Sequence, residues 1–128
     1  MKQITREMLK IYKPISNMDW LNYKLVKKNL TFHHIIKREN GGKEIISNGA
    51  LLMPIAHEYL HVIEYKDFKT YNYINDIFKI INTQQYEPTQ DQREILECIL
   101  LDFEHKHEND RTIKGKKLIK REYKERYL

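Results

Sequence analysis

The chain contains a single cysteine, Cys98, so it closes no internal disulfide and builds no cysteine-rich structural zinc site. Any metal it holds must be taken by His, Asp or Glu. Long apolar runs are missing as well. The longest, residues 49–56, is interrupted by Pro54 and stopped by His57, well short of the roughly 18–20 residues that span a bilayer. The opening Met-Lys-Gln-Ile-Thr-Arg-Glu lacks the apolar stretch of a secretion signal, so the expected location is the cytoplasm. No internal repeat or low-complexity segment interrupts the sequence.

What is present is the makeup of a folded domain. Of 128 residues, 41% are hydrophobic and 32% charged, which argues against disorder and leaves room for one domain over residues 1–128. The net charge of +5 is unevenly placed: residues 111–128 hold eight Lys or Arg against two Glu, a net of +6, so residues 1–110 carry −1. Such a basic tail is drawn to phosphate backbones by counterion release whatever their sequence. A solvated charged helix has the same composition.

Local patterns predict the elements. Ile4, Met8, Leu9 and Ile11 suggest a short helix ending before Pro14. Asn17 or Asp19 is a candidate cap for a second helix carrying Trp20, Leu21, Tyr23, Leu25 and Val26 towards residue 28. Residues 30–36, rich in β-branched and aromatic types, read as a strand. Asn40-Gly41-Gly42 reads as a turn, and residues 44–47 as a second short extended stretch. Pro54 suits the first turn of a helix running through His57 and His61 to about residue 64. Tyr71, Ile74, Ile77, Phe78 and Ile81 recur at helical spacing and predict a helix over 68–82. After a linker at 84–88, Thr89 caps a helix with Ile95, Leu96, Ile99, Leu100 and Phe103 on one face. A last helix is expected after Gly115, with Leu118 and Ile119 as its apolar contacts.

Five residues stand out for chemistry: the adjacent His33 and His34 at the end of a predicted strand, Asn48 after the Gly-Gly loop, and His57 with His61 on a predicted helix. Residues four apart on an α-helix lie on one face about 5–6 Å apart, so the imidazoles of His57 and His61 can converge on one ion. A third ligand from a neighbouring strand, His33 or His34, would complete a site with positions left open for water and substrate.

Their order and spacing carry a resemblance. The segment runs Phe-His33-His34-Ile-Ile-Lys-Arg-Glu-Asn-Gly41-Gly42, then Asn48-Gly-Ala-Leu-Leu, then His57-Glu-Tyr-Leu-His61. It resembles the HNH nuclease motif, most closely the His-His variant of colicin-type DNases. The resemblance covers about a quarter of the chain. It implies a ββα-metal hairpin and helix at about 30–64; with the helices read from local pattern, three to four of them flanking that unit and a helical C-terminal extension over about 67–128, the expected fold is α+β. It implies that His33, His57 and His61 bind a divalent ion (Mg, Mn, Zn or Ni), that His34 is the general base, and that Asn48 ties the hairpin together and orients His34. Phosphodiester hydrolysis needs those types, because a neutral imidazole can activate water near pH 7 and a cation offsets the charge developing on the phosphate. The implied substrate is DNA rather than RNA, and the implied products carry 5′-phosphate and 3′-hydroxyl ends. Lys37, Arg38 and Lys43 flank the loop as candidate phosphate contacts. A homodimer or a larger phage or bacterial complex is compatible with such a protein. The chain departs from several family members in lacking Cys-x-x-Cys pairs for a structural zinc, and from many in having His33 where they have Asp.

A rival lies inside the same segment. His57-Glu58-Tyr59-Leu60-His61 matches H-E-x-x-H, the zinc-peptidase helix in which Glu58 would activate water. No third ligand follows at metzincin spacing, with Glu64, His105 and His107 the remaining candidates, and that reading leaves His33, His34 and Asn48 unexplained. A third reading is a non-catalytic basic protein that grips nucleic acid through residues 111–128.

Overall fold

A computed structural model describes residues 1–110. Four helices and a two-stranded sheet make an α+β fold. Helix α1, Gln3–Tyr12, buries Thr5, Met8 and Tyr12 along one side and ends at Lys13, in the left-handed region just before Pro14. Strand β1, Thr31–His34, pairs antiparallel with strand β2, Gly49–Leu52, in the register Thr31 to Leu52 and His34 to Gly49. Helix α2, Pro54–Lys66, has Pro54 in its first turn, where the missing N–H costs nothing. Helix α3, Phe68–Gln84, follows at once, its start capped by the Asp67 carboxylate accepting from Thr70 N–H. Helix α4, Gln90–Lys106, starts in a reciprocal capping box between Thr89 and Gln92.

Helix α3 is the central element: it packs against α2, α4 and β2. Its Phe78 and the Tyr12 of α1 both meet the ring of Trp20 edge-on, at centroid distances of 5.9 and 5.1 Å. On the other side of the hairpin α1 presses so closely that a Cβ on Gly49 would lie 2.8 Å from the Met8 sulfur and 2.3 Å from the Phe32 ring. Among the described residues no helix is long and apolar enough to cross a membrane.

Three expectations are corrected. Residues 17–28 form no helix beyond a short 3-10 turn at Lys27–Asn29. Met18, Trp20, Leu21, Tyr23 and Leu25 are all buried, which a helix with one inward stripe cannot achieve. Asp19 caps no helix and instead closes a turn, its Oδ1 accepting from Leu21 and Tyr23 N–H, while Asn22 turns left-handed at φ 66° and the chain doubles back, with Met18 bridging Lys24. The second strand is not 44–47 but Gly49–Leu52, since Ile46–Asn48 coils into a 3-10 turn. On α4 the inward stripe is Arg93, Leu96, Glu97, Leu100, Phe103 and Glu104, while Ile95 is exposed. The expected helix after Gly115 and the basic tail lie outside the described residues.

Candidate active site

The pleat of β1 divides its side chains. Thr31 and His33 share one face and Phe32 and His34 the other. His33 is 2% exposed, with its ring centroid 5.2 Å from that of His57 and perpendicular to it. His34 is half-buried and stands edge-on to Phe32 at 4.9 Å. His57 and His61, one helical turn apart on α2, stack at 4.9 Å with their planes 25° apart. All four histidines line one open cavity of about 540 Å³, together with Lys2, Lys37, Arg38 and Tyr71 among others.

Each ring is tied by one nitrogen. The hydroxyl of Thr31 gives its proton to Leu52 O at 2.8 Å, so at 3.0 Å from His57 Nδ1 it can only accept. His57 therefore carries its proton on Nδ1 and keeps a lone pair on Nε2. His61 Nδ1 lies 3.3 Å from the Glu64 carboxylate, which can only accept, so that nitrogen carries a proton. His33 is bonded through Nε2 to Asn75 Oδ1 at 2.8 Å. Burial pushes the His33 pKa down to about 3 and that of His57 down to about 4, so both rings are neutral at pH 7.

His34 differs. Its pKa is also lowered, first by burial and then by the guanidinium of Arg38, whose Nε donates to His34 Nε2 at 3.4 Å. The ring faces solvent with an unprotonated nitrogen held beside a cation. That is the state a general base needs before it takes a proton.

Asn48 closes the loop that carries these groups. Its Oδ1 accepts from Ile36 N–H at 2.8 Å, and its Nδ2 donates to Ile36 O and Lys43 O, both at 2.9 Å. It thus joins the segment after β1 to the start of β2. Asn48→Ala should lower stability by about 2–3 kcal/mol, because three hydrogen bonds of a buried amide are lost at roughly 1 kcal/mol each. Urea denaturation checks this, and a loss under about 0.5 kcal/mol, the usual effect of a surface substitution, would show that the loop closes without it.

The candidate phosphate contacts have different surroundings. Lys37 Nζ pairs with Glu64 at 2.5 Å and with Glu39 at 3.3 Å. Arg38 and Lys2 share one oxygen of Glu44, at 3.1 and 2.7 Å. Lys43 is exposed and does not line the cavity. Lys2 was not legible as a site residue, since only the docking of α1 beside the hairpin brings it there. Asn75 was equally silent, an amide inside an apolar stripe.

As a donor set, three imidazoles with one nitrogen each fixed by an oxygen suit a divalent cation. Among the described residues, however, no three His, Cys, Asp or Glu are arranged to hold a metal ion as they lie. The reason is visible in the rings, for His57 and His61 stack face to face instead of converging. Glu58, the residue of interest in H-E-x-x-H, is exposed and does not line the cavity, and neither do His105 and His107. Compared with family models, with curated proteins and with solved structures, the chain matches none of them.

Proposed function

We propose that this chain is a divalent-metal-dependent endonuclease of the HNH type that hydrolyses phosphodiester bonds of DNA, with β1, β2 and α2 as its ββα-metal unit. The observation that carries this reading is one cavity lined by His33, His34, His57 and His61 and by Lys2, Lys37, Arg38 and Glu39. Three cations against one carboxylate favour an anion as the ligand, and a phosphodiester is an anion whose hydrolysis a base and a metal ion can promote together.

His34 takes the proton from the attacking water, and Arg38 keeps its Nε2 unprotonated until then. Asn48 holds the loop in register so that His34 keeps its place. His33, His57 and His61 would hold the ion once the two rings on α2 turn from stacking to convergence. When bound, the ion offsets charge on the scissile phosphate and on the leaving oxygen. Lys37 and Arg38 exchange their carboxylate partners for substrate phosphates. The peptidase reading is disfavoured by the position of Glu58 outside the cavity.

The test uses supercoiled plasmid and casein, each with Mg²⁺, Mn²⁺, Zn²⁺ or Ni²⁺ and with EDTA. Plasmid nicking that EDTA abolishes is expected, unchanged in Glu58→Gln and reduced about 10²–10³-fold in His57→Ala, the several kcal/mol of a lost Lewis acid. Casein cleavage abolished by Glu58→Gln would overturn the proposal in favour of the peptidase. DNA binding without cleavage under any metal would favour a non-catalytic binder.

A further inference from the structure

Tyr71, Asn75 and Phe78 are spaced by four and three residues on α3 and so share a face. That face is where the His33 ring sits, edge-on to Tyr71 at 6.3 Å and to Phe78 at 5.9 Å. Asn75 Oδ1 lies 2.8 Å from His33 Nε2, and both residues are buried. Nothing in the His33 to His61 motif points to α3, which lies wholly beyond it.

We infer that Asn75 is a positioning residue that fixes the tautomer of His33: Nε2 carries the proton, and Nδ1 is the nitrogen left with a lone pair for a ligand. An amide oxygen only accepts, so the imidazole must donate to it. Both residues are buried, and the two aromatic edges leave the ring little freedom to turn over. In this respect Asn75 does for His33 what Thr31 does for His57 and Glu64 for His61. Outer partners of this kind orient metal-binding imidazoles, and their loss commonly costs 10–100-fold in metal affinity. The consequence for metal rests on the nuclease reading; the tautomer does not.

Two measurements test it on the full chain. Long-range ¹H–¹⁵N spectra of the metal-free, ¹⁵N-histidine-labelled protein report which nitrogen of His33 is protonated. Calorimetric titration with Zn²⁺ reports affinity. The wild type and Asn75→Asp should both show Nε2–H and bind Zn²⁺ comparably, because a carboxylate is also a pure acceptor. Asn75→Leu should show a mixed or reversed tautomer and bind about 10–100-fold more weakly. The inference is overturned if wild-type His33 is the Nδ1–H form, if Asn75→Asp loses the tautomer, or if a folded Asn75→Leu keeps both tautomer and affinity. Should Asn75→Leu fail to fold, the wild type and Asn75→Asp still decide. A wild type that binds no Zn²⁺ through its histidines would count against the nuclease reading, while the spectra would still settle the role of Asn75.

Discussion

His34→Ala should reduce plasmid nicking about 10²–10⁴-fold, the usual contribution of a general base, while leaving the melting temperature close to that of the wild type. The second half of that expectation separates catalysis from structure. His34 is half-buried, and its contacts are the edge of Phe32 and a long hydrogen bond from the exposed Arg38, so its removal strips no buried polar group of a partner. Substitutions of that sort fall within about 1 kcal/mol. His33→Ala offers the contrast, since it should impair activity and also destabilise by leaving the buried Asn75 amide unbonded. Nicking by His34→Ala at the wild-type rate would refute the assignment of the base, whatever the other histidines do.

The largest effect on stability should come from Arg93. Its guanidinium, on α4, is 2% exposed and donates to Asp19 O, Asn22 Oδ1, Ser16 Oγ and Glu87 Oε1, at 2.8 to 3.1 Å. Glu87 in turn accepts from the backbone N–H of Ile15 and Ser16. This one side chain thus pins the 15–22 segment, 71 or more residues away in sequence, onto the start of α4. Arg93→Met keeps the volume and removes the charge, leaving buried acceptors without donors. Breaking a buried pair from one side costs about 3–5 kcal/mol, a large part of the 5–15 kcal/mol typical of a domain. A urea midpoint unchanged from wild type would show that water replaces the guanidinium at no cost.

That arrangement also explains which parts of the fold the sequence disclosed. Helices α2, α3 and α4 announce themselves locally: Pro54 in a first turn, the Tyr71 to Ile81 spacing, and Thr89 three residues before Gln92. The 17–28 segment imitates a helix because Asp19 bonds the backbone N–H groups that follow it, as a cap would, and Trp20, Leu21 and Leu25 are apolar. Its conformation is decided by Arg93 and by the backbone N–H of Met53, which donates to Asp19 Oδ2. No local pattern contains those partners. The second strand was displaced for a related reason. Ile45 and Ile46 have the strand propensity, whereas Gly49-Ala50-Leu51-Leu52 has the burial, and burial against α3 and α1 prevails. The four histidines and Asn48 were legible because their spacing is a property of the chain itself. Lys2 and Asn75 were not, because each reaches the site from an element whose docking the motif does not encode, and Thr31, on β1 beside His33, was not because its bond to His57 depends on how α2 packs against the hairpin.

The tight seat of Met8 against Gly49 and Phe32 has a consequence for how this unit can be inherited or engineered. The hairpin and the helix behind it are roofed on one side by a segment that precedes them and on the other by one that follows. Transplanting residues 30–64 into a foreign host would therefore carry the signature letters without the scaffold that aims them. The unit that holds the four histidines in place is the whole arrangement from the first helix onward, and a graft that respects only the motif boundaries would lose that support.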